Sequence, residues 1–274
     1  MRQRLEDLRF LYQPVAPVTL GASPWCEALV RWQHPDGTVR GPLEVLPYWL
    51  SQARIEEFTQ FTLLRGAQVL AANAEARLSV NLSPKQVMLP STILVLEGML
   101  RSITARLHVE LTEECHADQG ALARQMVLLR ERCGVVVLDD VAPGDLRERL
   151  RFDAKVDGVK IDRSVIDAAL HQTGEARESA RRFVRSLCDR YPIVVAEGVE
   201  EPSVSVDLQA LGVSHVQGFG IARPAAELRT VGDALVADLG VDPAGAGASA
   251  GACAASSVRN GSAAGLDLRT RPIR

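Results

Sequence analysis

Val135-Val136-Val137-Leu138-Asp139-Asp140 decides the fold: four apolar residues, three of them β-branched, run straight into two adjacent carboxylates. An apolar run of this length and composition reads as a buried strand, with the acids at the point where it leaves the core. The same design recurs in Cys26-Glu27-Ala28-Leu29-Val30-Arg31, Leu78-Ser79-Val80-Asn81 and Leu107-His108-Val109-Glu110. It returns in Gly158-Val159-Lys160-Ile161-Asp162, Val194-Val195-Ala196-Glu197 and His215-Val216-Gln217. Most stretches between these runs can hold a helix, and apolar residues recur at three and four positions over Ile55 to Ala72, Gly120 to Arg132 and Glu175 to Asp189. Strands alternating with helices predict an α/β barrel, and in such a barrel the carboxyl ends of the strands meet at one face.

That face would gather Glu27, Glu110, Asp139, Asp140 and Glu197. So many carboxylates at close range stay ionised only if cations neutralise them; otherwise some of them hold protons. Cations are the simpler answer. The donors are carboxylates plus the Asn81 amide, all hard oxygen ligands without His or Cys, which suits magnesium or manganese better than zinc. Two such ions can activate a water and stabilise an in-line displacement at phosphorus, so phosphoester hydrolysis is the leading chemistry.

Each residue also has a bland reading. Glu27 alone would more often be a solvated surface acid, and Asp139-Asp140 alone could cap a helix or make a turn. The shared context of five acids reverses those odds. Lys160 between Val159 and Ile161 reads equally as surface or site, and an amide such as Gln13 or Gln217 often only satisfies backbone groups. The five histidines lack metal-site spacing, and His108 and His215 are placed at strand edges. Cys26 and Cys115 read as buried inert thiols, and Arg177, Arg181, Arg182 and Arg185 as a solvated helix face.

Composition sets the outer bounds. The 274 residues suit one barrel plus an appendage, and a net charge of −3 supplies no field that would draw nucleic acid. The start Met1-Arg2-Gln3-Arg4-Leu5-Glu6-Asp7 has no apolar run behind it, and no segment is long enough to span a bilayer. Five cysteines without paired spacing fit a reducing compartment, so a cytoplasmic location is expected. Beyond Gly240 the chain turns to Ala244-Gly245-Ala246-Gly247-Ala248, which has little to bury. A division into a barrel over 1–239 and a flexible Gly/Ala-rich tail over 240–274 is expected.

The string Glu27-Ala28-Leu29 resembles the signature of the EAL-domain phosphodiesterases, and the likeness runs from Tyr12-Gln13-Pro14 to Gln217-Gly218-Phe219-Gly220-Ile221-Ala222-Arg223-Pro224. Asn81-Leu82-Ser83, Glu110-Leu111-Thr112-Glu113, Asp139-Asp140, Lys160-Ile161-Asp162-Arg163 and Ala196-Glu197-Gly198-Val199-Glu200 follow in the family's order. The resemblance implies a (β/α)8 TIM-like barrel with its first strand reversed that hydrolyses cyclic di-GMP to linear pGpG. It places metal ligands for two divalent ions on Glu27, Asn81, Glu110, Asp139, Asp140 and Glu197, the last also as general base. Lys160 would hold or polarise the attacking water. Gln13, Leu29, Arg31, Asp162, Gln217 and Pro224 would contact substrate, and Glu113 and Glu200 would support the site from behind. A homodimer and a regulatory protein partner are further expectations. The rival class is a non-catalytic receptor for cyclic di-GMP or a protein-interaction module.

One segment departs from the family. Active members continue Asp-Asp-Phe-Gly-x-Gly, whereas this chain reads Asp140-Val141-Ala142-Pro143-Gly144-Asp145. If the first glycine position needs positive φ, Ala142 costs about 1–2 kcal/mol there, and Pro143 pushes Ala142 further towards extended backbone. Val141 in place of Phe would lose a packing anchor, and Glu113 would face a changed partner.

Overall fold

The computed structural model describes residues 3–19, 21–51, 53–114, 118–145, 147 and 156–229. The expected tail over 240–274, together with Cys115 and His116, lies outside the described residues. Among the described residues nine strands follow in chain order: β1 (Leu8–Pro17), β2 (Trp25–Gln33), β3 (Val39–Arg40), β4 (Leu78–Leu82), β5 (Leu107–Leu111), β6 (Val136–Val141), β7 (Gly158–Ile161), β8 (Ile193–Ala196) and β9 (His215–Val216). They join in the order β1-β9-β8-β7-β6-β5-β4-β2-β3, and β1 also pairs with β2. Eight strands therefore close a barrel, and β3 is a short hairpin extension of β2. β1 runs antiparallel to both β2 and β9 while the other seven barrel strands run parallel, which is the reversed first strand of the expected fold.

The helices Ile55–Ala72, Gln119–Arg132 and Gly174–Cys188 fall within a residue or so of the predicted spans. Their apolar faces cover the outside of the barrel, burying Leu63, Leu70, Met126, Leu129, Val184 and Leu187 against outward residues such as Leu78, Val80, Leu107, Val109 and Val159. A parallel strand covered by helices outside and filled by side chains inside faces bulk water on neither side, which is why Val136 to Leu138 reads as an unbroken apolar run.

Inside, strand periodicity of two separates a plug from a site. Val15, Trp25 and Val195 pack together in the interior. The rings of His108 and His215 lie 5.5 and 4.6 Å from that of Trp25. Both histidines thus sit inside the barrel and not at strand edges, and burial drives their pKa values down to about 3 and about 4, so they are neutral. Two positions along each strand from these plug residues, on the same inner face, come Gln13, Glu27, Glu197, Glu110 and Gln217. The polar layer rests on the plug.

Candidate active site

Adjacent residues of a regular strand face opposite sides, so Asp139 and Asp140 could not share a pocket without an irregularity. One is present. β6 pairs with β7 through Leu138↔Val159 and then jumps to Val141↔Ile161, leaving the two aspartates opposite Lys160 alone. This bulge turns the backbone at Asp140 to φ +51°, and no other non-glycine among the described residues has positive φ. Both carboxylates consequently line the same cleft. One oxygen from each of Asp139, Asp140 and Glu197 lies within 4.8 Å of the others.

Lys160, 1% exposed, stands at the centre. Its Nζ lies 2.6 Å from Glu197 Oε1, 2.9 Å from Glu110 Oε2 and Asp139 Oδ1, and 3.2 Å from Glu27 Oε2. Glu27 also accepts hydrogen bonds from Asn81 Nδ2 and Gln217 Nε2, both at 2.7 Å. Gln13, paired with Glu27 across β1 and β2, accepts from Gln217 at 3.4 Å and donates to Ala222 O at 3.1 Å.

One ammonium cannot balance this many acids. Burial, followed by repulsion from Glu27, pushes the Glu110 carboxyl up to about 8. Burial also raises Asp139 and lifts Glu197 well above the usual range, with repulsion among the acids adding to it and Lys160 opposing it. Glu27 alone goes the other way: burial penalises its charge, but Lys160, Gln217 and Asn81 outweigh that and hold it low. Burial likewise disfavours the Lys160 ammonium, yet the four carboxylates keep it charged well above the ordinary lysine range.

The donor set fits divalent cations. Glu110 Oε1 and Gln217 Oε1 are buried without a hydrogen-bond partner, an arrangement that is costly unless something positive or protic meets them. All the candidate ligands offer hard oxygen.

A cleft of about 390 Å³ runs over Glu27, Asn81, Asp139 and Asp140, with Phe10, Leu43, Leu46, Leu50 and Phe58 as an apolar wall and Arg31 and Glu113 on its margin. It adjoins a second hollow of about 310 Å³ that holds Gln13, Lys160, Glu197, Glu200 and Gln217, and Leu29 lines both. A larger groove of about 680 Å³ between β1 and the helix Ile55–Ala72 contains none of these acids, only Glu6 and Glu57, so the acidic cluster belongs to the carboxyl-end cleft.

Two expected substrate contacts lie elsewhere. Asp162 caps the helix Arg163–His171, its Oδ1 accepting from Ser164 N at 2.8 Å, and does not line the cleft. Pro224 precedes Ala225, which forms a bridge to Tyr12 and fastens the chain to β1. Ser83 has a similar structural explanation, as N-cap of a capping box with Gln86. Arg163, next to Asp162, pairs with Glu200 at 2.5 Å on the exposed rim. Gly218 is required by close approach: a Cβ there would lie 2.1 Å from Val199 O.

Over residues 141–145 and at Arg147 the segment after Asp140 is held by contacts of its own. Ala142 has no positive φ; the left-handed conformation falls on Asp140 and Gly144 instead. Asp145 N donates to Ala142 O at 3.1 Å across Pro143-Gly144, with Gly144 at φ +91°, the residue placement a type II turn requires. Val141 is fully buried and paired with Ile161, so the smaller side chain still anchors in the core. Glu113 stands exposed on the rim, and the buried anchor is Arg147, 2% exposed. It donates to Leu111 O at 2.8 Å and Asp139 O at 2.6 Å and forks onto Asp145. Arg147 was not legible as a site residue; an Asp-x-Arg step after a Pro-Gly turn is its only trace.

Fold and site together define a (β/α)8 barrel protein with an acidic pocket at the carboxyl ends of its strands. More particularly, the chain belongs to the EAL domain family, whose model matches residues 1–224. It is 31% identical over 238 residues to an uncharacterized signaling protein of Caulobacter vibrioides, covering 82% of this chain and 29% of that protein. It is 28% identical over 208 residues to the cyclic di-GMP phosphodiesterase PdeR of Escherichia coli, covering 72% and 31%. The structure titled PaMucR phosphodiesterase, c-di-GMP complex, superposes with a TM-score of 0.67 at 24% identity, over 80% of this chain and 92% of that one. The FimX EAL domain from Pseudomonas aeruginosa bound to c-di-GMP gives 0.68 at 21%, over 81% and 93%. The chain spans about a third of the length of these two curated relatives. No helix among the described residues is long and apolar enough to cross a membrane.

Proposed function

We propose that this domain hydrolyses cyclic di-GMP to linear pGpG, with two divalent cations, magnesium or manganese, held by Glu27, Asn81, Glu110, Asp139, Asp140 and Glu197. The observation that carries the reading is the bulge that turns two adjacent carboxylates into one pocket beside Glu197. Bound there, the cations would supply an activated water and neutralise charge at phosphorus. The remaining roles fall to the chain itself. Glu197, its proton affinity raised by burial, suits removal of the water's proton. Gln217 Oε1 can orient that water, and Arg31 can fork onto a phosphate. The apolar wall of Leu43, Leu46, Leu50 and Phe58 suits the flat faces of purine bases. Lys160, with its ammonium beside four of these acids, gathers the carboxylates and suits holding or polarising the attacking water.

Calorimetry with cyclic di-GMP and chromatography of the product, with magnesium or manganese, test this. Glu197→Gln should keep nucleotide binding and lose turnover about 100-fold or more, while Arg31→Ala weakens binding. Wild-type turnover in Glu197→Gln contradicts the assignment. Tight binding by the wild type without turnover in either metal establishes the receptor class instead.

A further inference from the structure

Past Leu111↔Leu138 the β5–β6 pairing ends, yet both strands still have to present Glu110, Asp139 and Asp140 at a fixed separation. The bulge loosens β6 at that point, and the φ of +51° at Asp140 is a conformation that an L-residue holds only when its surroundings impose it. Something must fix the end of β6. The Arg147 guanidinium lies against both strand ends at once: Nη1 donates to the carbonyl of Leu111, next to Glu110, and Nη2 to the carbonyl of Asp139 itself.

The fork is in turn held in one orientation. Asp145 accepts from Nε at 3.1 Å and Nη2 at 2.6 Å, and its Oδ1 accepts from Arg147 N at 2.8 Å. Asp145 is itself placed by the Pro143-Gly144 turn. A guanidinium can do this because its donors diverge in one rigid plane; an ammonium at the end of a lysine cannot span the same two carbonyls and a carboxylate. The Asp145 charge also balances Arg147, so the clamp adds no net charge beside the acids.

We propose that Arg147 is a positioning residue that fixes the ends of β5 and β6 relative to each other and so sets the spacing of Glu110 against Asp139 and Asp140 for divalent cations. This rests on the cation-binding part of the functional reading above and deepens it. The sequence that departs from the family after Asp140 is then a replacement brace built from Pro143, Gly144, Asp145 and Arg147, not a decayed loop.

Calorimetric titration with Mn2+ alone, without nucleotide, tests the proposal independently of hydrolysis. Arg147→Lys keeps the charge and should bind Mn2+ about ten- to a hundredfold more weakly than wild type, as loss of a group that orients ligands does. Its metal-free thermal midpoint should change little. Arg147→Ala should show the same loss, and millimolar guanidinium, too dilute to denature, should recover part of the affinity where equimolar urea does not. Asp145→Asn, which leaves both carbonyl bonds, should fall between Arg147→Lys and wild type and serves if Arg147→Ala does not fold. Unchanged Mn2+ affinity in Arg147→Lys overturns the proposal. So does a loss matched by a collapse of the metal-free protein in Arg147→Lys and Asp145→Asn alike. Wild type that binds Mn2+ but does not hydrolyse cyclic di-GMP contradicts the functional reading and leaves the Arg147 result readable. Wild type that binds no Mn2+ removes both.

Discussion

Replacing Lys160 by Met removes the charge at the centre of the site while keeping most of the buried volume. At 2.9 Å and an effective dielectric of about 20, each ammonium–carboxylate contact is worth about 6 kcal/mol before desolvation. Taking the ammonium and the acids out of water offsets most of that, and breaking one side of a buried ion pair typically leaves a net loss of about 3–5 kcal/mol. The loss has a pH signature. Without Lys160 the carboxyls of Glu110, Asp139 and Glu197, already raised by burial, rise further. An acid whose folded pKa lies above its unfolded value binds more protons when folded, so its presence destabilises increasingly as pH climbs from about 4 through the folded value. Urea unfolding of metal-free Lys160→Met should therefore show the full loss near pH 8.5 and less than about half of it near pH 5.5. An equal loss at both pH values, or no loss at pH 8.5, would refute the view that Lys160 serves as the counter-ion of the cluster.

Three further outcomes are expected. Asp140→Gly relieves the left-handed backbone and should stabilise the metal-free protein by about 1 kcal/mol in chemical denaturation while weakening Mn2+ binding, a trade that an unstrained Asp140 would not show. The buried imidazoles act in the opposite sense to the acids. With folded pKa values of about 3 and 4 and an unfolded value near 6.5, they contribute stability that is present above pH 6.5 and lost as pH falls, about 2 kcal/mol each by pH 5. The double variant His108→Gln/His215→Gln should accordingly lose less stability than wild type between pH 7 and pH 5; an equal loss means that these rings do take up protons when folded. Restoring the family's loop with Val141→Phe, Ala142→Gly and Pro143→Thr removes part of the brace that holds Arg147, so turnover should fall or stay level, and a several-fold rise in kcat would show the native loop to be the defective one.

Most of the barrel was readable because both faces of its strands are buried, which leaves uninterrupted apolar runs such as Val135 to Leu138. The site was readable because the same strands end in acids. Three features were not. The run that forms β1, Leu8–Pro17, is of mixed composition with no acid at its end to mark it, and only the family resemblance implied a reversed first strand. The joint orientation of Asp139 and Asp140 depends on a bulge, and register carries no local signal in one sequence. Arg147 acts through backbone carbonyls, which have no sequence identity to match. Conversely, Asp162 and Ser83 sit in strings that resemble the family's motifs yet cap helices, because Asp and Ser after a strand serve a helix start as readily as a ligand.

The central claim is that this cleft uses divalent cations and water to open a phosphodiester, and hydrolysis in 18O-labelled water with mass analysis of the product tests it most directly. Purified protein with cyclic di-GMP and magnesium or manganese should yield linear pGpG carrying one labelled oxygen on its terminal phosphate. The product should vanish on chelation and in Glu27→Ala, which removes a ligand from the cluster. Cyclic di-GMP recovered intact, or a linear product formed equally with chelator or by Glu27→Ala, would contradict the account.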